Sequence, residues 1–128
     1  MSFIHRASCV AIGARAVLIE GPSGSGKSML ALALIDRGAI LVGDDGVTLE
    51  VRGGRLRASP PPNIAGLLEV RNLGVLEFPT ATDVPVALVL RLDPEAPRFI
   101  DAAERADLAG TPIPLVRLWP GGTELALK

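Results

Sequence analysis

The sequence predicts a single α/β domain with a mixed sheet and few helices. Three observations carry this expectation. A strand pattern, a glycine-rich turn and a helix pattern follow one another over residues 15–37. The apolar runs beyond residue 39 are short and mostly strand-like, with little room for helices between them. Eleven prolines cut the chain into short elements. At 128 residues there is space for one core but hardly for two, so residues 1–128 read as one domain.

Taken in order, "SCVAIG" and "RAVLIEG" read as two strands joined by a turn near Gly13 and Ala14, both being short, apolar and partly β-branched. From Lys27 to Arg37 there is neither proline nor glycine, and "SMLALALIDRG" is rich in strong helix formers, with Gly38 where a helix C-cap is expected. Apolar residues run all round this helix, which predicts that it is well buried. "AILVG" reads as a buried strand ending at Asp44 and Asp45. "VTLEVRGGRLRA" alternates on both sides of Gly53-Gly54, a hairpin signal. "SPPPNIAG" is a loop, and "LLEVRNLGVLEF" fits either a strand or a short helix followed by a strand. "PVALVLRL" reads as a buried strand, "RFIDAAERADLAG" as a short helix ended by Gly110, and "IPLVRLW" as a last strand.

Composition removes several function classes. The hydrophobic share of 48% and charged share of 21% are those of a soluble globular chain. A net charge of −1 supplies no broad basic field, so nucleic acid is not an expected partner. Cys9 is the only cysteine, which rules out an intrachain disulfide and points to a reducing compartment. The N-terminal "MSFIHRASCV" has no secretory pattern and no run is long enough to span a bilayer, so a cytoplasmic protein without a membrane partner is expected.

The chemistry lies first in Gly21-Pro22-Ser23-Gly24-Ser25-Gly26-Lys27-Ser28, which matches the phosphate-loop pattern G-x-x-x-x-G-K-[ST] at every fixed position. Glycines let backbone N–H groups turn inward around phosphate oxygens, and the helix N-terminus adds partial positive charge. Lys27 then reaches the outer phosphates and the Ser28 hydroxyl ligates Mg²⁺. The chain has 11 arginines but only two lysines, Lys27 and Lys128, so its one internal lysine lies in this loop. A compact ammonium suits a point contact to phosphate better than a planar fork. Asp44 and Asp45 close the next strand, where one carboxylate can hold Mg²⁺ and another can orient or deprotonate an attacking group. Aspartates before Gly46 are also ordinary turn residues. His5 is the only histidine, Glu69 and Arg71 could form a metal or substrate pair, and Cys9 reads as a packing residue.

Together, "IHRASCVAIG", "VLIEGPSGSGKS", "LALALIDRGAILVGDD", "AGLLEVRNLGVLEF" and "PVALVLRL" resemble the catalytic domain of HPr kinase/phosphorylase, in a short form without the family's N-terminal domain. The last-but-one segment is similar to the family signature "LLEIRGLGI". The resemblance implies a P-loop fold related to phosphoenolpyruvate carboxykinase and an ATP- and Mg²⁺-dependent protein serine kinase, with phosphorolysis as a second activity. The implied partner is the phosphocarrier HPr of the sugar phosphotransferase system, and the implied assembly is a homo-oligomer. Carried over by position, Asp44 becomes the general base for the substrate serine, with His5 neighbouring it. Asp45 holds Mg²⁺ with Ser28, Glu69 contributes to a second metal position, and Arg71 contacts substrate or a metal-binding carboxylate.

The sequence departs from that pattern at Met29, where the family carries an acidic residue, at Asn72 in place of a glycine, and over residues 103–128. Two other readings stay open on the residues alone. One is a nucleotide-binding regulatory module without transfer activity, and the other is a small-metabolite kinase.

Overall fold

A computed structural model describes residues 2–22, 25–62, 66–70, 74–94 and 104–118, with the side chains of Glu69 and Val70 outside that set. Its described residues form one helix and eleven strands. These are β1 (Ser2–His5), β2 (Ser8–Ile12), β3 (Arg15–Glu20), α1 (Lys27–Asp36), β4 (Ile40–Gly43), β5 (Val47–Arg52), β6 (Arg55–Ser59), β7 (Leu67–Val70), β8 (Gly74–Glu77), β9 (Val84–Leu92), β10 (Glu104–Leu108) and β11 (Thr111–Leu118).

Nine strands make one mixed sheet, seven of them in the order β1-β5-β6-β9-β3-β2-β4 with β10 and β11 off that path, while β7 and β8 pair only with each other. The long strand β9 is the junction. Its first residues pair antiparallel with β6, and its later ones pair parallel with β3 on one side and β11 on the other. β10 then folds back antiparallel on β11. The sheet therefore divides at β9, and the two branches enclose the core.

Alternation along β3 shows how the core is shared. Ala16 and Leu18 join Cys9, Val47, Leu49, Leu56, Ile113 and Leu115 in one cluster, whereas Val17 and Ile19 join Leu30, Ala31 and Leu41 under α1 in another. A strand buried on both faces reads as a continuous apolar run, which is why "AVLI" does not alternate.

α1 starts at Lys27 as expected, after Gly26 in a left-handed conformation, and ends with the Gly38 and Ala39 amides donating to Ile35 and Leu34 carbonyls. It is not buried all round. Leu30 and Ala31 are covered, while Met29 is 51% exposed and Leu34 borders an apolar groove with Val17, Leu88 and Leu90. One helix on one face of a sheet can cover only the stripe that it touches.

The turns explain where the sequence reading holds and where it changes. Gly13, Gly53 and Gly54 take positive φ in the expected hairpin turns, and the ambiguous "LLEV" and "GVLE" form the β7–β8 hairpin. The short helix expected over "RFIDAAERADLAG" is instead strand β10 over Glu104–Leu108, the part of that segment before its turn that lies within the described residues. Ala109 and Gly110, both at positive φ, make a tight turn that pairs Ala106 with Ile113 and buries both. Pairing with a neighbouring strand overrides the helix preference of the alanines here.

Candidate active site

The loop leaves β3 at Gly21 and enters α1 at Lys27. A Cβ on Gly21 would lie 2.6 Å from Ser25 Oγ and 3.1 Å from Leu92 Cβ, so only glycine lets the chain turn this close to the end of β9. Ser23 and Gly24 lie outside the described residues. Lys27, whose side chain is 13% exposed, reaches back across the loop and donates to the Gly21 carbonyl at 2.9 Å. The Ser25 hydroxyl is buried without a hydrogen-bond partner among the described residues. A buried polar atom without a partner at such a loop fits a site for phosphate oxygens.

A second turn brings the carboxylates to this loop. Gly43, Asp44, Asp45 and Gly46 fold so tightly that a Cβ on Gly43 would meet the Gly46 carbonyl oxygen at 2.1 Å. Asp45 takes φ 56°, a conformation that aspartate tolerates better than most residues. Ser8, fully buried at the start of β2, holds the turn in place: its hydroxyl donates to Asp44 Oδ1 at 3.0 Å and accepts from the Asp45 amide at 3.3 Å. Ser28 donates to the same Asp44 Oδ1 at 2.6 Å.

The two aspartates therefore stand in different surroundings. Asp44 is the one joined to the loop serine, although Asp45 was expected there. Asp45, 56% exposed, lies 3.6 Å from Lys27 and 3.7 Å from Arg6. Ser28 Oγ and Asp44 offer the hard oxygen donors that Mg²⁺ takes, so the residues present fit that ion. Among the described residues no group of three or more His, Cys, Asp and Glu converges as a metal site. Arg71 and the side chain of Glu69 lie outside the described residues, and Glu69 is placed only by its backbone in β7.

His5 ends β1, which pairs with β5. The neighbour expected for it is Asp44; its ring instead meets Glu20, with Nε2 2.7 Å from Oε2. Arg91 donates to Glu20 Oε1 through Nε at 3.1 Å and Nη2 at 2.8 Å. The hydrogen bond from His5 holds the Glu20 carboxyl below the ordinary glutamate range, against the opposing effect of burial, and Arg91 adds to the lowering. A cleft of about 620 Å³ opens beside Gly21 and Pro22, walled by His5, Arg6, Glu20, Arg91, Asp93 and Asp107. Cys9 is buried in the core, where loss of hydration pushes its thiol up and keeps it unreactive.

Sequence reasoning missed Ser8, Glu20 and Arg91. Glu20 ends an apolar strand directly before the loop, and Ser8 is the one hydroxyl in an apolar run. Those are visible signals of a polar group aimed at a site, but their partners lie far along the chain.

Comparison with known proteins finds relatives of this chain. Residues 2–82 match the family described as the HPr Serine kinase C-terminal domain. The HPr kinase/phosphorylase of Cupriavidus necator is 40% identical over 115 residues, covering 80% of this chain and 35% of that protein. That of Clostridium tetani is 48% identical over 64 residues, covering 50% of this chain and 21% of that protein. The solved structure of the Hpr(Ser) kinase/phosphatase from Coxiella burnetii superposes with a TM-score of 0.83 at 28% identity, covering 98% of this chain and 85% of that one. The chain thus spans a fifth to about a third of the length of these two relatives. Its sheet, its phosphate loop and the match over residues 2–82 establish that the chain belongs to the HPr serine kinase C-terminal domain family.

Proposed function

We propose that the chain is an ATP- and Mg²⁺-dependent protein serine kinase whose acceptor is an HPr-like phosphocarrier, with phosphorolysis as its reverse activity. The observation that carries this reading is the 2.6 Å contact between Ser28 of the phosphate loop and Asp44, beside a second carboxylate next to Lys27. It supports phosphoryl transfer because a poor hydroxyl nucleophile needs a carboxylate near the phosphates, and the phosphates need cations. No helix among the described residues is long and apolar enough to cross a membrane. We place the activity in the cytoplasm, in a homo-oligomer, on the lone cysteine and the family resemblance.

In this reading the loop amides and Lys27 hold the phosphates, and Lys27 balances charge on the outer ones. When bound, Mg²⁺ supplies further neutralisation of phosphoryl charge. Ser28 and Asp44 would hold that ion. Asp45, exposed and close to Lys27, is then the carboxylate placed to take the proton from the acceptor serine, in the role that the resemblance gives to Asp44. Glu69 and Arg71, two positions apart in the signature, are proposed contributors to a second metal position and to substrate contact.

The test is to incubate the protein with ATP, Mg²⁺ and HPr and to seek a phosphoserine by mass spectrometry. Its absence, with nucleotide still bound, would favour a regulatory module; phosphate on a small metabolite instead would favour the third reading. Two variants separate the aspartates. Asp44→Asn should raise the Mg²⁺ needed for half-maximal transfer, whereas Asp45→Asn should lower kcat by about a hundredfold or more with that requirement unchanged. The opposite pattern would restore Asp44 as the base.

A further inference from the structure

Glu20 stands where three strand ends meet. It closes β3 one residue before the loop, and its side chain is only 13% exposed. Both carboxylate oxygens are engaged, Oε2 by His5 at the end of β1 and Oε1 by Arg91 near the end of β9. A carboxylate removed from water is retained when charged or N–H donors satisfy both oxygens, and the bonds hold its partners in turn. All three side chains line the cleft beside the loop, whose other charged groups among the described residues are Arg6, Asp93 and Asp107.

We infer that Glu20 is a positioning residue, which fixes the His5 imidazole with its proton on Nε2 and holds the Arg91 guanidinium on the cleft wall where the acceptor group enters. This inference rests on the transfer reaction proposed above. Neutral imidazole carries one N–H, so donation from Nε2 to Glu20 leaves Nδ1 as the nitrogen that can accept a hydrogen bond. The bond also survives protonation of the ring, because Nε2 is a donor in both states. Arg91 spends Nε and one N–H of Nη2 on Glu20, which leaves three of a guanidinium's five N–H donors for an anion in the cleft. A single carboxylate thus sets one imidazole and one guanidinium on the same wall.

The chain holds one histidine, so the imidazole ¹⁵N spectrum of the full protein reports His5 without assignment. In mildly alkaline buffer the wild type should show the Nε2–H tautomer. In Glu20→Gln the tautomers should mix, and kcat for HPr should fall by about tenfold or more while the KM for ATP stays unchanged. Glu20→Ala should show the same mixing, and circular dichroism selects whichever variant is folded. An unchanged imidazole spectrum in the folded variant would overturn the inference, as would mixed tautomers with an unaltered kcat. If the wild type transfers no phosphate, the kinase reading fails, while the spectrum still decides whether Glu20 fixes the ring.

Discussion

Individual residues of the site differ in how they announce themselves. Lys27 and Ser28 are legible because the loop fixes their spacing within eight residues, and backbone geometry demands glycine at set positions. Ser8 and Asp44 are 36 positions apart, and Glu20 and Arg91 are 71 apart, so only the sheet brings them together. Asp44 and Asp45 were both visible, but a local pair cannot show which member faces the serine; the left-handed backbone of Asp45 decides that. Glu20 also has a consequence for stability. Its folded pKa lies below its unfolded value, so its contribution is full above the ordinary glutamate value of 4.5 and is lost as pH falls through the folded pKa. The difference in melting temperature between wild type and Glu20→Gln should therefore be largest near neutral pH and shrink below about pH 4.5. Thermal scans from pH 7 to pH 3 measure it, and a constant difference across that range would contradict it.

Among the elements, those set by local chemistry were readable and those set by a partner were not. The β2–β3 and β5–β6 hairpins follow from their glycine turns, and α1 follows from its uninterrupted run of helix formers. β10 does not, because "AERADLA" has helix propensity and becomes a strand only by pairing with β11. β1 is likewise held by β5, 42 or more residues away in its register. The β4–β5 turn offers the sharpest test at this scale. Gly43→Ala places a methyl group against the Gly46 carbonyl, while a Cβ on Gly46 meets nothing within 4 Å. Gly43→Ala should cost about 1–3 kcal/mol and displace Asp44, seen as a lower melting temperature and a higher Mg²⁺ concentration for half-maximal transfer. Gly46→Ala should stay within about 0.5 kcal/mol of wild type.

For the molecule as a whole, the fold class was legible in the succession of short apolar runs, whereas the division of the sheet at β9 was not. Nothing in "PVALVLRL" marks a strand that takes three partners; that follows from its nine-residue length and the two branches meeting it. The core on both sides of β3 predicts that neither face is dispensable. Leu18→Ala on one face and Ile19→Ala on the other should each destabilise by about 2–5 kcal/mol in urea titrations, since both are fully buried. A much smaller loss at Ile19 would show that the helix-covered face is loosely packed.

The central place of β3 also governs how the protein opens. Its backbone is bonded to β2 on one side and β9 on the other, so its amides exchange with solvent only in large-scale opening, whereas β1 and the separate β7–β8 pair can fray on their own. The phosphate loop is thus tethered to a slowly exchanging strand while His5 is carried by an edge. Local fluctuations of β1 can shift His5 without disturbing the foundation of the loop.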